Sequence, residues 1–388
     1  MYCYRKVTED LYWVGSNDRR LAMFEGVYSV PNGVSYNSYL LLDEKTVLFD
    51  TVDKAVKGVF FENVEKVLDG RPLDYMVIHH MEPDHSEAIQ EVVLRYPEVK
   101  IICNAKTASM MKQFFRFDVD AYTQIVKEGE TFTFGRHTLA FVDAPMVHWP
   151  EVMVSYESTD KVLFSADGFG KFGTRDADEA WTCEARRYYM NICGKYGAQV
   201  QALLKKAADL DIAAICPLHG PVLTEDLDYY IGKYQTWSSY EPEDEGILIA
   251  CASVHGNTMT AALKLKEILE AKGAKKVVLA DLCRDDMHEA VEDAFRYSHL
   301  VLAAITYDAG IFPAMESFLN KLKAKNYQKR TVGLMENGTW APTAGKSMKA
   351  ALEGMKELSI AEQMVTIKSA LKPNDISQLE ALAEELLA

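Results

Sequence analysis

Hydrophobic and polar positions fall into two regimes along the chain. Up to about residue 240, short apolar runs recur at 11–15, 37–43, 46–50, 75–79, 100–103, 137–142, 152–156 and 161–165, each short enough to be a strand. Patterns with helical spacing fall between some of them, at about 54–68, 86–95, 106–114 and 184–209. Together they predict two sheets with helices outside them. A polar and aromatic stretch at 236–246 interrupts the pattern and reads as a linker. Beyond it, strand candidates at 247–252, 276–280, 300–305, 331–335 and 363–367 alternate with amphipathic helices at about 257–272, 287–296, 312–324, 345–357 and 374–387. Five such repeats predict an open parallel sheet covered on both faces, with its ligand at the carboxyl ends of strands one, three and four.

A length of 388 residues exceeds what one core normally holds, which agrees with two domains. Asp and Glu total 57 against 42 Lys and Arg, and the formal charge of −15 argues against nucleic acid or an anionic membrane as a partner. No secretory segment opens the chain and no stretch is apolar enough to span a bilayer, so a cytoplasmic location is expected. The seven cysteines are scattered and include no C-x-x-C pair. That pattern suits buried thiols in a reducing compartment and argues against a fused rubredoxin or iron–sulfur module, which needs paired cysteines at short spacing.

Candidate chemistry begins at His80-Met81-Glu82-Pro83-Asp84-His85, directly after an apolar run. Two imidazoles and two carboxylates packed this tightly on a turn would repel or desolvate one another unless a cation sat among them. The motif reads as half of a metal site. Further candidates stand just beyond later strand-like runs: His148 after 137–142, Asp167 after 161–165, and His219 in Cys216-Pro217-Leu218-His219. Trp149 and Pro150 follow His148 and either wall a pocket or join the core. His137, His288 and His299 lack partners at ligand spacing and are expected in surface or satisfied-core positions.

The second regime carries a different signature. Its first strand runs into Ser253-Val254-His255-Gly256-Asn257-Thr258 and then a helix, offering hydroxyls, an amide and free backbone at a helix N-terminus to a phosphate monoester. Within this second regime neither G-x-G-x-x-G nor G-x-x-x-x-G-K-[ST] occurs, which argues against a dinucleotide or a nucleoside triphosphate there. The third strand ends in Thr306-Tyr307-Asp308-Ala309-Gly310 and the fourth in Asn337-Gly338-Thr339-Trp340, so backbone amides and two aromatic faces are available to a flat ring. Three such loops at the expected strand ends point to a flavin, with His255 a loop residue beside its phosphate.

With both motif sets in this order, the whole chain resembles the flavodiiron proteins, or A-type flavoproteins. The resemblance implies an α/β fold in two parts. A metallo-β-lactamase-like αβ/βα sandwich would span 1–243, and a flavodoxin-like doubly wound parallel sheet binding FMN would span 244–388. It implies two non-haem irons, one held by His80, Glu82 and His148, the other by Asp84, His85 and His219, with Asp167 bridging. In some members the position of His85 is unligated. His79 matches no ligand position and is expected to support the site. The implied reaction is reduction of dioxygen to water, of nitric oxide to nitrous oxide, or both, with electrons arriving through FMN from rubredoxin or another external donor. A head-to-tail homodimer, or a dimer of dimers, is implied as well.

Residue chemistry favours iron independently. Hydrolytic relatives on this fold carry a His where Glu82 stands, and a carboxylate there adds a hard oxygen that suits iron better than zinc. Three carboxylates and a bridging hydroxide balance two divalent ions, so a buried centre avoids uncompensated charge. Two rival readings are a dizinc hydrolase with a regulatory flavodoxin domain, and a non-catalytic electron carrier whose first domain is a scaffold.

Overall fold

The structure, a computed structural model, describes residues 3–388. Its contacts divide it into two units: residues up to Tyr188 with Ala198–Tyr234, and Tyr189–Gly197 with Gln235–Ala388.

Two sheets stack face to face in the first unit. One has seven strands in the order Arg5–Lys6, Leu11–Trp13, Tyr39–Leu42, Thr46–Phe49, Tyr75–Val77, Lys100–Cys103 and Thr123–Ile125. The other has five, Thr131–Thr133, Thr138–Asp143, Met153–Glu157, Val162–Phe164 and Ala214–Cys216. Alternate residues of each strand meet between the sheets. Val47, Phe49, Val77 and Ile102 from the first pack with Leu139, Phe141, Met153 and Phe164 from the second, and the Phe49 and Phe164 rings stack at 3.9 Å. The intervening residues Leu48, Met76 and Ile101 are equally buried, because helices cover the outer face: Lys57–Leu68 packs on Tyr39–Leu42 and Ala105–Phe114 on Thr123–Ile125. That double burial explains why these strands read as unbroken apolar runs.

The second unit is one parallel sheet in the order Val277–Asp281, Asp244–Ala252, Tyr297–Tyr307, Arg330–Asn337, Leu358–Ile367, with the short Gly310–Ile311 pairing antiparallel on the third strand. Numbered by sequence, the parallel strands run 2-1-3-4-5, and the order reverses beside the first strand, where such sheets open a crevice for a ligand. Ala261, Leu265 and Leu269 of helix Asn257–Ala271 share one core with Leu379, Leu382 and Leu386 of Ile376–Leu387. Met287–Arg296 and Pro313–Ala324 also pack against the strand Asp244–Ala252.

Two local expectations fail. The helix expected at 184–209 is broken into Trp181–Ile192, a short 3₁₀ turn at Gly194–Tyr196, and Gly197–Ala207. Glycines at 194 and 197 interrupt it, and a Cβ on Gly197 would lie 2.3 Å from the Ser238 carbonyl oxygen. The stretch 236–246 is only partly a linker. Its start completes helix Leu227–Ser238 and its end begins strand Asp244–Ala252, because Trp237 is buried and donates from Nε1 to Glu243 at 2.6 Å.

Candidate metal centre and flavin cavity

All the candidate metal-binding groups follow strand ends at one edge of the sandwich. Val77 closes its strand, and Glu82 then caps the single helical turn Pro83–Ser86. Pro83 at the first helical position fixes the backbone there, and Asp84 and His85 follow it into the turn. His148 follows Thr138–Asp143, Asp167 follows Val162–Phe164 and His219 follows Ala214–Cys216.

The seven side chains converge in two sets: His80, Glu82, His148 and Asp167, and Asp84, His85 and His219. Asp167 faces both. Its Oδ2 lies 3.3 Å from Nε2 of His80 and of His148, and its Oδ1 lies 3.3 Å from Nε2 of His85 and 3.7 Å from Nε2 of His219. Glu82 Oε2 approaches His148 Nε2 at 3.0 Å and His80 Nε2 at 3.2 Å, while Asp84 Oδ2 lies 3.3 Å from both His85 and His219.

Neighbouring groups fix how two of the imidazoles are protonated. His80 Nδ1 lies 2.8 Å from Glu151 Oε1, and His219 Nδ1 lies 2.7 Å from the Ser35 carbonyl oxygen. A carbonyl oxygen only accepts, so Nδ1 carries the proton in His219, and the Glu151 carboxylate places it likewise in His80. The Nε2 lone pairs are left to face the centre, the usual arrangement of metal-ligating histidines. Glu151 is fully buried and also accepts from the Met81 backbone at 2.9 Å. Sequence reading missed it, although it stands three residues after His148. Trp149 does reach the centre, its ring meeting that of His80 edge-on at 5.2 Å. His79 supports the site from behind: Nδ1 bonds Asp50 at 2.6 Å and Nε2 bonds Ser155 at 2.8 Å.

These groups fit a cation. Both oxygens of Asp84 and of Asp167 are buried without a hydrogen-bond partner, an expense that a positive ion would offset. Burial pushes the His148 imidazole down, but the carboxylates of Asp167 and Glu82 more than compensate and hold it up at about 9. Burial likewise opposes ionisation of Glu82, yet His148 and His80 keep its carboxyl well below the usual range. Desolvation and then the charge of Glu82 raise the Glu25 carboxyl to about 7, although much of that residue remains exposed. His137 is buried away from these two sets, with Glu157 at 3.2 Å and Asp10 at 3.3 Å. Elsewhere, His288 pairs with Asp286 and His299 with Ser298.

In the second unit a cavity of about 480 Å³ opens at the carboxyl ends of the strands. Ser253, Val254, His255, Asn257, Thr258, Thr306, Asp308, Ala309, Asn337, Gly338, Thr339 and Trp340 line it, joined by Ile305, Ala341, Thr343 and Ser369. Gly256, Tyr307 and Gly310 are not among the lining residues. Gly256 instead caps helix Asn257–Ala271 at φ +88° and donates to Ser253 Oγ at 3.2 Å. Tyr307 packs edge-on against Phe312 at 5.3 Å. Thr306 Oγ1 accepts from the backbone of Thr343 and Ala344 at 2.9 and 3.1 Å, which ties the third-strand loop to the fourth. A phosphate fits at the first loop, where Thr258 Oγ1 is buried without a partner beside a helix N-terminus. No Lys or Arg lines the cavity, so backbone amides and hydroxyls would have to hold the anion. Trp340 is 91 % exposed, its ring free to cover a flat ligand.

Residues 34–220 match the family described as ODP family beta lactamase. The chain is 27 % identical to a rubredoxin-oxygen oxidoreductase of Megalodesulfovibrio gigas over 393 aligned positions, covering 98 % of this chain and 96 % of that protein. It is 30 % identical to an anaerobic nitric oxide reductase flavorubredoxin of Vibrio vulnificus, covering 86 % of this chain and 70 % of that one. A solved flavodiiron protein from Giardia intestinalis superposes with a TM-score of 0.93 at 24 % identity, over all of this chain and 96 % of the other. Two independent sites on two matching folds, with relatives that span nearly its whole length, lead to one assignment: the chain belongs to the flavodiiron protein family of oxidoreductases.

Proposed function

We propose that the chain reduces dioxygen to water, nitric oxide to nitrous oxide, or both, at two non-haem irons served by FMN, with electrons from rubredoxin or another external donor. The observation that carries this reading is Asp167, whose two carboxylate oxygens each face a separate set of imidazoles. His80, Glu82 and His148 would hold one iron and Asp84, His85 and His219 the other, with Asp167 the carboxylate available to both sets. The loops 253–258, 306–310 and 337–340 hold FMN. We further assign residues 1–243 to the iron-binding domain and 244–388 to the flavin-binding domain, in a cytoplasmic protein that assembles as a head-to-tail dimer or a dimer of dimers. Among the described residues no helix is long and apolar enough to cross a membrane, and the charge of −15 disfavours nucleic acid. The relatives' names supply the gases and the rubredoxin partner.

Bound iron and flavin supply electrons, four to take dioxygen to two waters and two to take a pair of nitric oxides to nitrous oxide and water. The chain's own part is to hold and shield. Glu151 and the Ser35 carbonyl keep two imidazoles aimed, the Asp50 and Ser155 partners of His79 brace the motif from below, and Trp149 adds an apolar wall. Protein loaded with iron and FMN and reduced anaerobically should consume at least one of the two gases catalytically. Fully loaded protein that consumes neither refutes the proposal.

Proton competition gives a pH dependence. His148 must shed its proton to bind a metal, and in the metal-free chain it holds that proton up to about 9. Metal affinity of the apoprotein should therefore rise from pH 6 to about 9, with protons released on binding. Titration with a ferrous ion at several pH values in two buffers checks this, and a flat profile contradicts it.

Thr258 offers a test of the flavin loop. Replacing it by Val keeps shape but removes the buried hydroxyl, which costs a hydrogen bond to a charged group, about 1.5–3 kcal/mol. FMN affinity should fall roughly 10- to 150-fold by the same conversion, with iron content unchanged, as read from flavin fluorescence titration.

A further inference from the structure

A third group of metal-binding side chains lies at the other end of the five-stranded sheet. His137 enters strand Thr138–Asp143, whose far end leads to His148. Glu157 closes strand Met153–Glu157, and Asp160 follows in the turn to Val162–Phe164. Leu139 pairs with Glu157 across the two strands. His137 stands two positions before Leu139, so its imidazole and the Glu157 carboxylate share one face of the sheet. One ring nitrogen and one oxygen from each carboxylate lie within 4.8 Å of one another.

The His137 imidazole is only 1 % exposed, and its Nδ1 is buried without a hydrogen-bond partner. Glu157 Oε1 stands 3.2 Å from Nδ1 but out of line for a hydrogen bond. No placement of the ring proton cures this. If Nε2 donates to Asp10 Oδ2 at 3.3 Å, the Nδ1 lone pair is turned on a carboxylate. If Nε2 instead accepts from Arg136 at 3.1 Å, the proton sits on Nδ1 with no acceptor in line, and a doubly protonated ring meets the same lack. A metal ion on Nδ1 removes the conflict. The 3.2 Å spacing is close to that of two donors on one ion, since tetrahedral bonds to zinc of about 2.1 Å separate the ligand atoms by about 3.4 Å.

We propose that His137 Nδ1, Glu157 and Asp160 form a separate binding site for one zinc ion, with Asp10 orienting the imidazole through Nε2. The Glu157 carboxylate is already fixed: Oε1 accepts from the Thr159 backbone and Oε2 from the Asp160 backbone, both at 2.7 Å, and each oxygen keeps a lone pair. A neutral imidazole and two carboxylates balance a divalent ion, while Asp10 and Arg136 pair with each other at 2.7 Å. Arg136 also stands 3.6 Å from Asp160 Oδ1, but its side chain is exposed and yields that contact to an ion at little cost. Asp160 keeps 20 % of its side-chain surface exposed, which gives the ion a way in and leaves room for a water as fourth ligand. Zinc stands above ferrous iron in affinity for mixed nitrogen and oxygen donors, so the site selects zinc. Its role is structural, clamping the start of one strand to the turn that joins the next two. The site is independent of the diiron reading.

The test uses the full chain loaded with iron and FMN, with the zinc ion alone as probe. Calorimetric titration should show one further equivalent of zinc per chain, with iron and FMN content unchanged, and the thermal midpoint should rise with zinc concentration. Diffraction at the zinc edge from crystals soaked in zinc should place a peak beside His137 Nδ1, Glu157 and Asp160. Asp160→Ala alters only a partly exposed turn, and its iron and FMN content reports that it is folded. Outer partners of a ligand already account for 10- to 100-fold in affinity, so loss of a direct ligand should weaken zinc binding at least about 10-fold. No zinc peak at His137, or an Asp160→Ala variant that binds zinc as tightly as the unchanged protein, overturns the proposal. Failure of the chain to take up iron overturns the diiron reading alone, because the zinc peak at His137 still decides this one.

Discussion

On the proposed reading, replacing Asp167 by Ala should strip the two irons and stop gas reduction while leaving FMN content at its original level. Asp167 is the one carboxylate that faces both sets of imidazoles, with Oδ2 toward His80 and His148 and Oδ1 toward His85 and His219. Without it, Glu82 and Asp84 alone must balance two divalent ions in a site almost closed to water, and a buried charge without compensation is strongly unfavourable. The flavin loops lie in the other unit, so flavin binding is expected to survive. Iron and flavin quantified on the same purified sample, with anaerobic gas consumption, make the check. A variant that keeps both irons and reduces gas at the normal rate would show that Asp167 does not bridge.

The second large effect concerns stability. Asp50→Ala should destabilise the first unit by about 3–5 kcal/mol, because the buried carboxylate serves three donors at once. It accepts from His79 Nδ1 at 2.6 Å, from the His79 backbone at 2.7 Å and from the His80 backbone at 3.3 Å. Removing it leaves these groups buried and unpaired directly beneath the metal-binding motif. Urea unfolding followed by tryptophan fluorescence would register the loss, and a midpoint within error of the unchanged protein would contradict it.

The candidate metal-binding motif is legible in the sequence because four of its groups lie within six residues, and because groups able to hold a metal come from few residue types. His148, Asp167 and His219 are legible for a related reason: each stands a few residues beyond an apolar run that reads as a strand. Glu151 is not legible. A carboxylate is the commonest surface group, and only the folded chain shows that Glu151 is sealed against His80. The parallel sheet can be read almost completely, since both faces are covered and its apolar runs stand out. Where the reading fails, at 184–209 and 236–246, the deciding facts are tertiary: close packing at Gly197 and the burial of Trp237. Gly256, Tyr307 and Gly310 belong to loops whose existence is evident from sequence, but whether a given loop residue faces the cavity depends on turn geometry that sequence leaves open.

Anomalous diffraction at the iron edge, from crystals of protein loaded with iron, tests the diiron assignment most directly. Two peaks per chain are expected, one among His80, Glu82 and His148 and one among Asp84, His85 and His219, with Asp167 between them. A single peak, a signal that appears at the zinc edge instead, or iron away from these seven side chains would contradict it.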